Sequence, residues 1–399
     1  MLQLIGYIIF TALFVYLAAG VLYLFVLAVA GLLRKKKQYV PAGHKNRIAI
    51  LVPAYKEDAV ILDTARQATL HNYPADRFEV FVIADKLKEE TIAKLQSIPV
   101  QVIKVQFETS TKARSLHLAM QQLAGKGYDH AMILDADNIM GAGCLEQVNA
   151  AMANGAGAVQ CHRTAKNKQT AIAVLDAISE EINNHLFRKG PAAFGVSAAL
   201  IGSGMAFRFQ DLQSILNLPH ILDNPGEDRE IDLQLMHKNI RVQYLDDALV
   251  YDEKVASAQV FEKQRVRWLE AQVMHFRRFL QADMRSAPRN SNYWNKFAQT
   301  LLLPRSLYIL VLAFMLALAA LEWIFSWDFL YPPAAWWAGM AMMFAITLLF
   351  AIPACLYNAR TFKAVLHVPV LIFTMVKALL QVKKNRTQFL HTPKNYTSG

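Results

Sequence analysis

The stretch MILDADNIM, residues 132–140, closes an apolar run with two carboxylates two positions apart. In a strand, side chains alternate between faces, so residues i and i+2 point the same way. Asp135 and Asp137 are therefore expected to converge on one point beyond the edge of a sheet. Hard divalent cations take oxygen ligands, and Mg²⁺ is commonly held by one or two carboxylates plus substrate phosphates. The competing reading makes Asp137 or Asn138 the N-cap of a helix that starts near Gly143. The pattern around the stretch decides between a site and a cap.

Between about 45 and 298, apolar runs alternate with helical patterns. RIAILVPAY (47–55), FEVFVIAD (78–85), VQVIKVQF (100–107), AMILDAD (131–137) and GAVQC (157–161) read as buried strands, with helical segments at 60–71, 89–96, 113–123 and 144–153 between them. That alternation predicts an α/β fold with a mostly parallel, helix-covered sheet. Ligands of such sheets bind beyond the carboxyl ends of the strands. Pro53, Tyr55 and Glu57 fall just after the first strand, Asp85 after the second and the Asp pair after the fourth.

The 399 residues are 54% hydrophobic with mean hydropathy +0.21, too apolar for an ordinary soluble protein. From Leu2 to Leu33 no charged residue occurs; as a helix this run is roughly 48 Å long, against a hydrocarbon core of roughly 30 Å. A secretory signal peptide would be shorter and preceded by basic residues. Here RKKK (34–37) follows instead, so the positive-inside rule places the N-terminus outside and the next segment in the cytoplasm. Apolar stretches at about 301–325 and 334–356, split by SWDFLYPP, read as a transmembrane hairpin. Trp323, Trp327, Tyr331, Trp336 and Trp337 would form an aromatic belt at its outer end, with Asp328 outside and Arg360 and Lys363 back inside. The stretch 364–382 contains His367, Pro369 and Lys377 and precedes KKNR (383–386), so an interfacial helix is expected there rather than a further span. Three cysteines without CxxC spacing argue against a disulfide framework and agree with a reduced cytoplasm. The net charge of +11 is accounted for by membrane-flanking Lys and Arg. No basic stripe interleaved with aromatics points to nucleic acid.

Three further clusters carry chemistry. GED (226–228) opens a helical segment, where Glu227 and Asp228 could cap the helix or face a ligand. GSG (202–204) lets backbone approach a ligand or another strand closely. In QRVRW (264–268), Gln264, Arg267 and Trp268 share one helix face, with Arg265 expected to point elsewhere. An amide, a guanidinium and an indole together suit a diphosphate and a sugar ring.

Taken in order, VPAYKED (52–58), Asp85, TKARSL (111–116), DAD, GSG, GED and QRVRW resemble the membrane-integrated family 2 glycosyltransferases. That group contains bacterial cellulose synthase, hyaluronan synthase, poly-N-acetylglucosamine synthase and ceramide glucosyltransferase. The resemblance spans about 48–268 plus the flanking membrane helices. It implies a GT-A fold that binds a nucleotide-diphosphate sugar, UDP-linked in many members. By motif match, Tyr55, Glu57 and Asp85, with Pro53 beside them, would hold base and ribose. Lys112 would face the phosphates, and Asp135 and Asp137 would hold the nucleotide and its Mg²⁺ or Mn²⁺. Gly202, Ser203 and Glu227 would line the substrate site, with Asp228 as catalytic base. Gln264, Arg267 and Trp268 would contact the diphosphate and acceptor sugar.

Two departures stand out. Ala84–Asp85 replaces the family's usual Asp-Asp, removing one nucleotide contact. FLHTPK (389–394) is similar to a gating-loop motif, with His391 in place of Val, which would add Thr392 and Lys394 to the substrate contacts.

The resemblance implies an inverting, metal-dependent transfer that extends a β-linked polysaccharide at the cell membrane, from a cytoplasmic catalytic domain in a multi-pass chain. Three spans are few for a polymer channel, which would call for oligomers or an export partner. A single addition to a lipid, as in ceramide glucosyltransferases, is the alternative; an inactive scaffold is a third reading, which the intact acidic motifs oppose. The expected layout is an N-terminal span at 1–33, a GT-A domain with interfacial helices at 45–298, a hairpin at 301–356 and an interfacial or spanning helix with the gating tail at 364–399.

Overall fold

The computed structural model describes residues 2–224, 226–281, 290–327 and 329–382. Thr392 and Lys394, together with KKNR, Asp328 and Pro225, lie outside the described residues. The chain forms two compact units. One comprises Lys35–Gln169 and Val196–Val255; the other comprises Met1–Arg34, Thr170–Gly195 and Ala256–Val382. Residues 170–195, 256–281 and 290–298, expected in the sequence to belong with the α/β domain, thus cluster with the apolar helices.

The first unit is an eight-stranded sheet: β1 (Ile48–Tyr55), β2 (Phe78–Asp85), β3 (Gln101–Val105), β4 (His130–Ile133), β5 (Ile139–Met140), β6 (Ala158–Ala165), β7 (Met205–Arg208) and β8 (Val242–Asp252). The order is β3-β2-β1-β4-β7-β6-β8-β5. The half made of β3, β2, β1 and β4 is parallel, as the βα alternation predicts. The strand β7 enters antiparallel to both β4 and β6, so the sheet is mixed. Alternate residues of β1 serve two cores. Ile48, Ile50 and Val52 pack with the helices Ile61–Ala68 and Cys144–Ala153. Ala49 and Leu51 pack with Lys112–Leu123 and Phe209–Leu216 on the other face. A central strand covered on both faces reads as a continuous apolar run for this reason.

The segment 131–137 does not continue as a strand through both aspartates. β4 ends at Ile133, and the chain then turns, with Asn138 N–H donating to the Asp135 carbonyl at 3.0 Å. The alternation argument for a shared carboxylate direction does not apply in a turn. The cap reading also falls, because Gly143 caps the next helix with no side-chain bond.

The second unit holds three helices long and apolar enough to cross a membrane: Leu4–Leu33, Arg305–Phe325 and Ala334–Ala351. Small residues let them approach closely; a Cβ on Gly20 would sit 2.0 Å from the Tyr308 hydroxyl. The expected apolar stretch 364–382 is two helices, Ala359–Val365 and Val368–Leu380, bent by 48° at the break before Pro369. Of the aromatic belt, Trp323, Trp327, Tyr331 and Trp336 are exposed, but Trp337 is fully buried, edge-on to Phe14. Adjacent residues on a helix lie about 100° apart, and here that turn carries Trp337 inward while Trp336 stays exposed.

Candidate active site

The sheet places its polar residues beyond the carboxyl ends of β1, β2 and β4. Tyr55 and Asp85 are register partners that end β1 and β2. Each is followed by a lysine in the left-handed region, Lys56 at φ 56° and Lys86 at φ 57°. A non-glycine residue there carries strain, a feature that clusters at functional sites. Both lysine ammoniums lie over the Tyr55 ring, 5.3 and 5.5 Å from its centroid. Asp85 is 1% exposed, and neither carboxylate oxygen has a hydrogen-bond partner. Burial raises its pKa against the pull of Ser110, Lys86 and Lys56. A buried polar group left unsatisfied is expensive, so this carboxylate is suited to a ligand's donors. Pro53 sits within β1 opposite Ile83, and the Glu57 carbonyl accepts from Val60 and Ile61, opening the following helix.

A denser cluster surrounds Lys112, the first residue of the helix Lys112–Leu123, whose Thr111 cap accepts from Arg114 N–H. Its ammonium donates to Asp135 Oδ1 at 2.5 Å and to the Gly202 carbonyl at 2.6 Å, and lies 3.6 Å from Glu227 Oε1. Burial opposes its charge, but Asp135, Glu227 and Asp228 outweigh it and raise the Lys112 pKa. Glu227 is pushed up to about 7, first by burial, with Lys112 opposing and Asp228 and Asp135 adding. Gly202 has φ +84°, and a Cβ there would touch Asp228 Oδ2 at 3.6 Å and Lys112 Nζ at 3.8 Å. Those contacts would be tolerable; it is the positive φ that calls for glycine at this turn.

Glu227 and Asp228 begin the helix Glu227–His237, whose Gly226 cap makes no side-chain bond. Asp228 Oδ1 accepts from the adjacent Arg229 N–H at 2.8 Å. The positive end of the helix favours both carboxylates.

Ser203 is fully buried; its Oγ accepts from Asp135 N–H at 2.8 Å and donates to Asn138 Oδ1, fixing the turn. Asp137 is 3% exposed, and its Oδ2 accepts from Glu253 N–H at 3.0 Å. It is a buried group and not a freely projecting one.

Sequence reasoning missed the layer beneath. Asp252, the last residue of β8, accepts from Asn138 at 3.0 Å and from Lys254 at 2.7 Å, and Arg163 of β6 lies 3.9 Å from both Asp135 and Asp252. Applying the strand-end rule to β8 would have found Asp252.

In the helical unit, Gln264, Arg267 and Trp268 sit on the helix Ala258–Gln281 as expected. Arg265 does not point away from them. It stacks on Trp268 at 4.0 Å and on Phe261 at 4.3 Å, and pairs with Asp176 at 2.6 Å. Its i, i+3 relation to Trp268 permits that contact.

Carboxylates are the donors a divalent cation takes, but here Asp135 is already paired with Lys112 and Asp137 is buried against the Glu253 N–H, so a cation would displace Lys112 from Asp135 and draw its remaining donors from a ligand's oxygens. Among the described residues, no group of three or more His, Cys, Asp or Glu is placed to hold a metal without such a ligand.

A family model described as "Glycosyltransferase like family 2" matches residues 44–271, more than half of the chain. The chain belongs to this family. A mannosyltransferase, PcManGT from Pyrobaculum calidifontis in complex with GDP-Man and Mn²⁺, aligns with TM-score 0.59 at 16% identity, over 96% of this chain and 98% of that one. Glycosyltransferase family membership and this likeness establish a GT-A-like α/β fold. TarS 1–349 of S. aureus aligns with TM-score 0.43 at 12% identity, over 84% of this chain and 92% of that one. No curated protein matches the sequence.

Proposed function

We propose that this family 2 glycosyltransferase is a membrane-integrated, inverting enzyme that transfers a sugar from a nucleotide-diphosphate sugar to an acceptor hydroxyl. The observation that carries the reading is the cluster of Asp135, Glu227 and Asp228 around Lys112 under Gly202, together with the buried Asp85 at the end of β2. Asp85 and Tyr55 receive base and ribose. Lys112 neutralises charge on the departing diphosphate. Asp228, at the mouth of its helix, takes the proton of the acceptor hydroxyl as it attacks the anomeric carbon from the face opposite the diphosphate. From an α-linked donor the product is β-linked. For Gln264, Arg267 and Trp268 the motif alone supports contact with diphosphate and acceptor.

Asp135 and Asp137 are the residues that would hold Mg²⁺ or Mn²⁺; such an ion would supply further charge neutralisation at the diphosphate. The GDP-Man and Mn²⁺ of the Pyrobaculum calidifontis structure support both donor class and cation.

Of the two acceptors considered from the sequence, a growing polysaccharide and a lipid, side-chain packing favours the lipid. Leu17, Tyr308 and Trp337 are fully buried among the apolar helices, whose shared core is filled with hydrophobic side chains. A polymer needs a polar passage. The positive-inside argument supports a cytoplasmic catalytic unit at the cell membrane. Incubating purified protein with a panel of nucleotide sugars and Mg²⁺ or Mn²⁺, then sizing aqueous products and extracting lipids, tests donor and acceptor together. Glycolipid is expected; polymer would restore the polysaccharide reading, and no transfer with any donor would support an inactive scaffold.

A further inference from the structure

The helical unit partly buries a cation that no carboxylate among the described residues pairs with. Arg305 opens the apolar helix Arg305–Phe325, where a spanning segment would meet the headgroup region. Its guanidinium donates to Asn183 Oδ1 at 2.7 Å, to Ser179 Oγ at 2.8 Å and to the Ser179 carbonyl at 2.9 Å. All three acceptors are neutral. Among the described residues no carboxylate pairs with it, and the charges that reach it electrostatically are two more cations, Arg265 and Arg188.

The neighbouring groups do not supply the missing anion. Arg265 already uses Asp176, and its Nε is buried without a partner. Arg188 donates to Asn184 Oδ1 at 3.0 Å and has further partners of its own. Glu180 and Glu181 are buried on the same helix, Ala171–Asn184, and have partners other than Arg305. Asp176, Ser179 and Asn183 recur at i, i+3 and i+7, so Arg265 and Arg305 lie along one face of that helix, about a turn apart. Next to Arg305, the Ser306 hydroxyl oxygen is buried without a hydrogen-bond partner, and the first turn of its helix holds no acidic residue. The open N–H groups of that turn add to the positive field.

We propose that Arg305, backed by Arg265 and Arg188, is a receptor for the phosphate of a membrane lipid. With Nη1 on Asn183 and Nη2 on Ser179, a phosphate would exchange for these neutral acceptors to take the guanidinium fork, and Ser306 can donate to a third oxygen. The ligand is a lipid and not a free anion because an apolar helix carries the site, which sets it at headgroup depth. As an acceptor subsite it rests on the glycolipid reading above. As a binding site it does not, and its test uses no sugar donor, so the two fail separately.

Full-length protein in neutral detergent is titrated with phosphatidic acid, phosphatidylglycerol, diacylglycerol and inorganic phosphate, and retained ligand is read by native mass spectrometry. Both phospholipids should bind, diacylglycerol should not, and inorganic phosphate should compete weakly. Loss of a charge-assisted contact predicts that Arg305→Gln weakens phosphatidic acid binding by about tenfold or more. Equal retention by wild type and Arg305→Gln overturns the proposal. So does diacylglycerol binding as tightly as phosphatidic acid, and inorganic phosphate binding as tightly as either phospholipid would reveal an adventitious ion only. Should Arg305→Gln fail to fold, the wild-type preference for phosphatidic acid over diacylglycerol decides alone.

Discussion

Replacing Glu227 with Gln should stabilise the protein above neutral pH. Burial is the largest influence on this carboxyl, and with the negative charges of Asp228 and Asp135 it overcomes Lys112, raising the pKa from 4.5 to about 7. Below the lower value, native and unfolded chains both hold the proton. Between the two values the native chain keeps a proton that the unfolded chain has released, so stability falls as pH rises through this window. At about 1.36 kcal/mol per pKa unit, the full loss above pH 7 is on the order of 3 kcal/mol. Glutamine has the same shape and no charge to desolvate. It forgoes the 3.6 Å attraction to Lys112, which retains Asp135 at 2.5 Å, so the net gain at pH 8 should be on the order of 1–3 kcal/mol. The assay is the denaturation midpoint of wild type and Glu227→Gln, full length in one detergent, at pH 4 and pH 8. The midpoints should lie close together at pH 4 and separate at pH 8 in the variant's favour. Difference infrared spectra should show a carboxyl band that titrates near pH 7 in wild type alone. Midpoints that run parallel across the range would refute the burial argument for this cluster.

Asp85→Asn should raise stability at pH 8, because the wild-type carboxylate is buried and its raised pKa costs stability as pH rises; nucleotide affinity should drop about tenfold, read by calorimetry. Ser203→Ala leaves Asp135 N–H and Asn138 without their shared hydroxyl and should cost about 1–3 kcal/mol in a denaturation series, with a matching loss of initial rate. Asp137→Asn keeps an acceptor for Glu253 N–H and so should fold normally, yet lose the dependence of nucleotide binding on Mg²⁺ or Mn²⁺; unchanged metal dependence in equilibrium dialysis would remove Asp137 from the cation site.

Elements dominated by local pattern were legible. FEVFVIAD coincides with β2, and the helical segments at 89–96 and 144–153 coincide with Glu89–Gln96 and Cys144–Ala153. What escaped depends on tertiary context. β7 is four residues long, and β8 carries Asp246–Asp247 in its middle, which breaks the apolar run. The register shift between Cys161 and His162 explains how the sheet tolerates this, since their partners jump from Leu245 to Leu249 and leave residues 246–248 unpaired. Missing β8 meant missing Asp252 and Lys254. The DAD stretch announces its chemistry but not its turn, because nothing local reveals that β4 stops at Ile133. Arg305 gave no signal at all: an arginine at a helix start is unremarkable until its partners are known, and among the described residues these are neutral.

The central claim is that Asp228 is the base of a sugar transfer. Asparagine preserves shape and the acceptor for Arg229 N–H but cannot take a proton. Donor affinity and initial rate should be measured on one Asp228→Asn preparation. The account predicts a rate lower by a factor on the order of 10² to 10⁴ with nucleotide-sugar affinity retained. A near-normal rate would contradict the catalytic assignment, and rate and affinity lost together would move Asp228 into the nucleotide site.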